Sequence, residues 1–538
     1  MSRFTVREQE HNVVSRIKLG AVAAAATLLG GFGVAQPAQA SGNSTKDLTT
    51  SVTLAGVLRH LVAFQAIAKL NGDTRASGTP GYTRSADYVA TLMRAAGYQV
   101  TRQPFPFNFC SDDASSFTQN TPTPTAYVDQ VDYDVLDCSG NGTATGAVVP
   151  VDLQLTTPNT STSGCEAGDF VGVSGNIALI QRGGCGFGVK ATNAQAAGAT
   201  GVIIMNQGDT TGPDRQDLFL GTLGGPVGIP AVAVSYPQGV AFAGTAGLTV
   251  TISADTVAEV RQTENVIAES RYGNADNVVM TGAHLDSVPE GPGINDNGTG
   301  SAGILEVALQ ARNLKSKNKL RFAWWGAEEA NLVGSTFYVN SLSEAEHAKI
   351  KLYLNFDMIG SPNYTFGVYD GDDSDATGAG PGPAGSAQIE QVFQRFFATR
   401  KQATAASDFT GRSDYGPFIG TGIPAGGLFT GAEVEKTADD VAKWGGLAGV
   451  AYDPCYHEAC DSFTPERDGA DKAVYAQLRK KYKLVGNVNT FALDTNADAV
   501  ATAVGTFAQD ISSIPPRPAP AGTALARVSG TSGHGLVE

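Results

Sequence analysis

Apolar side chains recur at helical spacing in two early stretches. Leu54, Val57, Leu58, Leu61 and Val62 predict a helix over 54–68, and Tyr88, Val89, Leu92 and Met93 line one face of a second over 84–96. Gly97 ends that second helix, and residues 98–105 read as a strand. From about Thr121 the pattern changes to short Val/Ala/Gly-rich strands separated by turns. Its clearest unit is a strand in the stretch 175–187, a helix over 189–197 and a strand over 201–205, a compact βαβ arrangement. Alternation of strand and helix patterns resumes near Gln262 and runs to about Ser512. Three strands in it, 278–284, 320–325 and 351–357, end in chemistry-bearing residues, where open α/β sheets place their sites. From Ile514 the chain is Pro-rich and then Gly/Ser-rich without periodicity, and reads as a flexible tail.

A chain of 538 residues exceeds one ordinary domain. Charged residues are sparse (17%) and glycines plentiful (65), as in loop-rich extracellular proteins, and the net charge of −15 argues against nucleic acid or anionic membrane as partners. The N-terminus has the form of an export signal. Arg3, Arg7, Arg16 and Lys18 precede an apolar run from Leu19 to Ala35, and Ala38-Gln-Ala40 offers a small-x-small cleavage site. That run is too short and too rich in alanine for a spanning helix, so secretion without stable membrane insertion is expected, the mature chain starting near Ser41. Six cysteines fall into local pairs, Cys110 with Cys138, Cys165 with Cys185 and Cys455 with Cys460, which suits three disulfides in an oxidising compartment.

The chemistry concentrates in a few blocks. His284 and Asp286 alternate at a strand end, so both side chains can project the same way. Asp296 follows a Gly/Pro loop and precedes a Gly-Thr-Gly-Ser-Ala helix start; Glu328-Glu329, Asp357 and His457 lie downstream. Imidazoles and carboxylates without thiolate suit hydrolytic zinc, and would also accept manganese or cobalt. The set offers five ligands, a spare base and an orienting acid, the inventory of a two-metal hydrolase. Glu328 is placed to take a proton from water, and Asp286 to fix the tautomer of His284.

The blocks His284-Leu-Asp286-Ser-Val, Gly293-Ile-Asn-Asp296-Asn-Gly, Gly326-Ala-Glu328-Glu329, Asn355-Phe-Asp357-Met358, Gly411-Arg412-Ser-Asp and Cys455-Tyr456-His457 together resemble the secreted co-catalytic zinc aminopeptidases of the Streptomyces and Vibrio leucyl type and aminopeptidase Y. The stretch 121–260 is similar to the protease-associated (PA) domain, a non-catalytic insert of secreted peptidases. The resemblance implies a three-layer α/β/α zinc-peptidase fold with a mixed central sheet, interrupted by a mostly β insert. The expected division is 1–40 signal peptide, 41–120 and 261–512 peptidase, 121–260 insert and 513–538 tail. It also implies two Zn2+ per chain, with His284 and Asp357 on one, Glu329 and His457 on the other, and Asp296 bridging. Glu328 matches the general base and Tyr456 a tyrosine that hydrogen-bonds the oxyanion. Arg412 matches a contact to the peptide beyond its first residue, while Met358 and Phe429 match the lining of an apolar pocket favouring Leu, Met or Phe. The Asp296–Asn297 peptide matches a cis position.

Other readings stand beside these. Asp286 could cap a turn, Tyr456 and Phe429 could be packing, and Arg412 could pair with Asp414 or Asp408. His11 in the signal, His534 in the tail, His60 in an apolar helix and His347 in a polar stretch have no motif context and read as non-catalytic. Asp494 and Asp498, spaced i, i+4 at an expected helix start, are either a Ca2+ pair, as in some Streptomyces relatives, or acids favoured by the helix dipole; a third calcium ligand is missing, since Ser51 or Val52 occupies its place. Peptides are the expected partners of a chain expected to be monomeric. The rival functions are a carboxypeptidase or dipeptidase, a glutaminyl cyclase and a receptor-like binding protein without metals.

Overall fold

The computed structural model describes residues 45–517 apart from 157, 158, 377 and 379. The expected signal peptide and most of the expected tail lie outside these residues. Both early helices form, over Leu54–Leu70 and Pro80–Ala95. The second starts four residues before Arg84, because Pro80 is tolerated in the first turn and the Thr79 hydroxyl accepts from the Tyr82 N–H. The helix in the insert runs over Phe187–Ala196.

The strand expected at 98–105 is the first third of a much longer one, Gln99–Thr121, paired antiparallel with Thr249–Glu269 from Gln99↔Glu269 to Thr121↔Thr249. Phe105, Phe107 and Phe109 alternate inward along it and are buried against Ala76 and Ala327. The expected boundaries at 120/121 and 260/261 therefore fall inside a continuous ribbon that leads out of one lobe and into the other. In the inserted lobe, parallel strands Ile177–Gln181, Gly201–Met205 and Ala231–Val234 are covered on both faces, which is why they read as unbroken apolar runs. The Cys110–Cys138 disulfide ties the ribbon to this lobe, and Cys165–Cys185 closes a loop within it.

The other lobe has a mixed central sheet. Strands Asn274–His284, Asn318–Trp325, Ile350–Phe356 and Ala425–Phe429 are mutually parallel, flanked by antiparallel neighbours Thr249–Glu269 and Gly367–Tyr369. Alternate residues feed opposite layers. Phe322 and Trp324 enter a core with helices Leu54–Leu70, Gly298–Ala311 and Thr490–Gln509, whereas Ala323 and Trp325 enter one with Tyr338 and Phe418. This is the expected three-layer arrangement. Ile514 packs into the main core and the Arg517 guanidinium donates to the Ile350 carbonyl at 3.1 Å.

Candidate active site

Parallel register brings the site together. Trp325 pairs with His284 and Asn355 with Gly282, so Asp357, two residues beyond Asn355, comes level with His284. The Glu328-Glu329 turn leaves the adjacent strand end. Asp296 arrives on the loop before the buried helix Gly298–Ala311, whose cap Asn297 accepts from the Gly300 N–H, donates to Phe356 O at 2.9 Å and accepts from Met358 N–H at 3.1 Å. One amide thus ties the Asp296 loop to the Asp357 strand end. The Asp296–Asn297 peptide is cis, as expected.

Asp296 sits between two imidazoles. Its Oδ1 lies 3.2 Å from His284 Nε2 and its Oδ2 lies 3.4 Å from His457 Nε2. Asp357 Oδ1 is 3.2 Å from His284 Nε2, and Glu329 Oε2 is 3.1 Å from His457 Nε2. Two triads share Asp296: His284 with Asp357, and His457 with Glu329. Glu328 is buried with its Oε2 3.8 Å from His284 Nε2. Asp286 Oδ1 is 3.7 Å from His284 Nδ1, its carbonyl 3.2 Å from the same nitrogen, and its carboxylate accepts from the Glu328 N–H at 3.4 Å. It touches both the His284 strand and the Glu328 turn. Ala327, Met358 and His457 have positive φ, so each carboxylate or imidazole is presented from a backbone the surroundings must hold.

Burial disfavours an imidazolium at His284 and His457, but the carboxylates outweigh it. His284 is raised well above its ordinary value by Asp357 and Glu328, and His457 is raised to about 11 by Glu329 and Asp296. Burial pushes Asp296 up, yet the two histidines hold it below the usual carboxylate range. Glu328, with burial dominant, is raised well above that range, and Glu329 to about 7. Among the described residues no lysine or arginine forms an ion pair with Asp296, Glu328, Glu329 or Asp357, and Glu329 Oε1 is a buried acceptor without a hydrogen-bond partner. A donor set this short of positive charge, with an orphaned carboxylate oxygen, fits divalent cations.

The Tyr456 ring stacks on His457 at 3.8 Å, and its hydroxyl accepts from Arg412 at 3.3 Å. Arg412 pairs with Glu433 at 2.7 Å, neither with Asp414 nor with Asp408. Met358 is buried beside the site, and Phe429 ends the strand Ala425–Phe429, half-buried against the aromatic layer. The Cys455–Cys460 bridge closes the loop that carries Tyr456 and His457. Asp494 and Asp498 lie in the body of helix Thr490–Gln509, not at its start, and Asp498 is paired with Arg400 at 2.7 Å. His60 contacts Glu306 at 3.2 Å and Tyr88 at 2.8 Å in the core, a structural role.

Sequence reasoning missed the chain of donors behind Asp357. Trp325 donates to the Tyr353 hydroxyl (2.8 Å), which donates to Asn355 Oδ1 (3.0 Å). Asn355 Nδ2 in turn donates to Ser413 Oγ (2.8 Å), which donates to Asp357 Oδ2 (2.6 Å). Asn355 and Ser413 lay inside quoted motifs, but nothing in a lone Ser or Asn marks a support for a ligand.

Two imidazole–carboxylate triads gathered at the strand ends of such a sheet are the arrangement of a metal-dependent hydrolase's site. The family model of peptidase family M28 matches residues 265–480, and that of the PA domain residues 144–242. An aminopeptidase of Pseudomonas aeruginosa is 48% identical over 449 residues, 83% of this chain and 79% of the relative. Leucine aminopeptidase 2 of Trichophyton rubrum is 36% identical over 479 residues, 88% of each chain. The solved aminopeptidase from Aneurinibacillus sp. strain AM-1 shares the fold with a TM-score of 0.61 at 25% identity, covering 86% of this chain and 95% of that one. The chain belongs to peptidase family M28, as an aminopeptidase that carries a PA domain.

Proposed function

We propose that this aminopeptidase is an exported enzyme that uses two zinc ions to remove large apolar N-terminal residues from peptides. The observation that carries the reading is the division of the Asp296 oxygens between His284 and His457. His284 and Asp357 would hold one ion, Glu329 and His457 the other, and Asp296 both. Zinc bound there supplies Lewis acidity, polarising the scissile carbonyl and making water a nucleophile near neutral pH. Glu328, buried beside His284, takes the proton of the attacking water and returns it to the leaving amine. Asp286 keeps His284 in one tautomer, and the Tyr456 hydroxyl donates to the oxyanion. Glu328 and Asp357 face the substrate ammonium, Met358 and Phe429 flank its side chain, and Arg412 meets the peptide beyond. In this reading residues 41–120 and 261–512 are the peptidase and 121–260 the insert.

Export is supported by three disulfides, which are compatible with an extracellular setting, and among the described residues no helix is long and apolar enough to cross a membrane. The test is a panel of Leu-, Met-, Phe-, Gly- and Glu-initiated peptides, free and N-acetylated, with zinc counted by native mass spectrometry. Two zinc ions, graded preference for the apolar residues and no turnover of acetylated peptides are expected, since one methylene in such a pocket is worth only about 1–3 kcal/mol. Brisk cleavage of acetylated peptides from the carboxyl end would refute the reading.

A further inference from the structure

We infer that Arg75 and Asp461 form a positioning pair that sets Asp296 between its two imidazoles, acting through the loop backbone without touching the carboxylate. The inference rests on the two-zinc reading. The chain from Leu285 to Asp296 makes a wide turn outside regular structure, and two buried polar side chains, a guanidinium and a carboxyl, hold it. Arg75 is fully buried on one side. Its guanidinium donates to the Leu285 carbonyl, to Pro292 O at 2.7 Å and to Gly293 O at 2.5 Å, so one fork grips both ends of the turn. The ring of Phe64 lies 5.1 Å from it. On the other side the Asp461 carboxylate accepts from the Asn295 N–H at 2.8 Å and the Asp296 N–H at 2.8 Å, and the Asp461 carbonyl accepts from the Ile294 N–H at 3.0 Å. The guanidinium takes the carbonyls of the turn and the carboxyl group takes its amides.

Two further observations show how tightly the turn is held. A Cβ on Gly293, at φ +56°, would stand 2.2 Å from the Asp296 carbonyl oxygen and 3.2 Å from Arg75 Nη2, so the backbone doubles back where only glycine fits. Asn487 Nδ2 donates to Asp461 Oδ1 at 2.7 Å and to Asp453 at 3.0 and 3.1 Å, while Asn295 Nδ2 donates to Asp453 Oδ2 at 2.6 Å. Asp461 follows Cys460 directly, so the clamp ties the loop that supplies His457 to the loop that supplies Asp296. A buried charge is poor value as packing, because an apolar side chain of like size stabilises as well. What this pair provides is a fixed place for Asp296.

The experiment compares Asp461→Asn and Arg75→Lys with wild type by chelator-competition titration of zinc, thermal midpoint of the metal-free chain, and KM and kcat at saturating zinc. Asp461→Asn keeps shape and one acceptor oxygen; Arg75→Lys keeps charge but loses the fork. The expected result for Asp461→Asn is a loss of affinity for both zinc ions together, about 10–100-fold, with KM little changed and kcat recovered by excess zinc. Arg75→Lys should fall between it and wild type. Wild-type zinc affinity in Asp461→Asn alongside a lowered thermal midpoint would overturn the inference, as would weakening confined to one ion. A wild-type chain that binds only one zinc would refute the two-zinc reading and this inference with it, whereas two zinc ions in wild type and unchanged variants would refute the inference alone.

Discussion

Glu328 and Glu329 are adjacent in sequence, and the proposed function gives them different tasks that one pair of substitutions separates. Glu329 Oε2 lies 3.1 Å from His457 Nε2, in one group with it and Asp296. Glu328 Oε2 stands off at 3.8 Å from His284 Nε2, and burial raises its carboxyl well above the ordinary range, which makes its anion the stronger base. Glu328→Gln preserves volume and the backbone hydrogen bond to Asp286 but cannot accept a proton. Turnover should fall by about 10²–10⁴, equivalent to about 2.7–5.4 kcal/mol at 1.36 kcal/mol per decade. Zinc content and KM should change little. Glu329→Gln replaces an anionic ligand by a neutral amide, so the His457 side should lose metal and regain activity as zinc is added. The assay is turnover against buffered free zinc, with bound metal counted by native mass spectrometry. If Glu328→Gln loses metal and is rescued by zinc while Glu329→Gln is not, the two roles are exchanged and the geometric argument is wrong.

Three other outcomes are expected. Asp296→Ala should lower occupancy at both zinc positions, whereas His284→Ala should chiefly affect one; two ions retained normally by the Asp296 variant would contradict bridging. Ser413→Ala removes the 2.6 Å donor to Asp357 Oδ2 and should cost about 10–100-fold in zinc affinity, with an unchanged titration ruling the support role out. Lys436 is buried with its ammonium on the carbonyls of Asn363 and Tyr364, and burial pushes it down to about 8 from 10.5. Between those values the unfolded chain holds a proton that the folded chain lacks, so the stability of wild type relative to Lys436→Met should rise with pH across that window and be flat below it. Thermal midpoints of both proteins across pH 7–10.5 check this; a gap that stays constant would refute it.

The parts of the fold carried by local pattern were legible. The strands ending at His284, Trp325 and Phe356 stand within a few residues of the expected ones, because each is bounded by polar turns and ends in a motif. The ribbon was not. Residues 99–121 contain two prolines, Pro104 and Pro106, and polar runs at 101–103, 111–113, 115–116 and 118–121, so only pairing with 249–269, far along the chain, makes them one strand. The residues that gather at the strand ends stood out because imidazole and carboxylate in six ordered blocks are rare together. Their supports were not, for Arg75, Ser413, Asn355 and Asp461 carry no spacing signal, and their value arises only when distant segments meet.

His457 shows why such supports matter. It belongs to neither helix nor strand, has positive φ, and yet must meet Asp296 from the side opposite His284. A strand end such as that of His284 inherits its position from the sheet ladder; a loop has to be fixed separately. Here the Cys455–Cys460 bridge closes the loop locally, Asp453 accepts from the Cys455 N–H at 2.9 Å, and Asp461 carries the far end onto the Asp296 backbone. The Tyr456 ring stacked on the imidazole then limits its rotation. Each constraint acts on a different degree of freedom: loop closure, entry, exit and ring plane. The loop residue is thereby as determined as the strand residue it faces, which a carboxylate shared between the two requires.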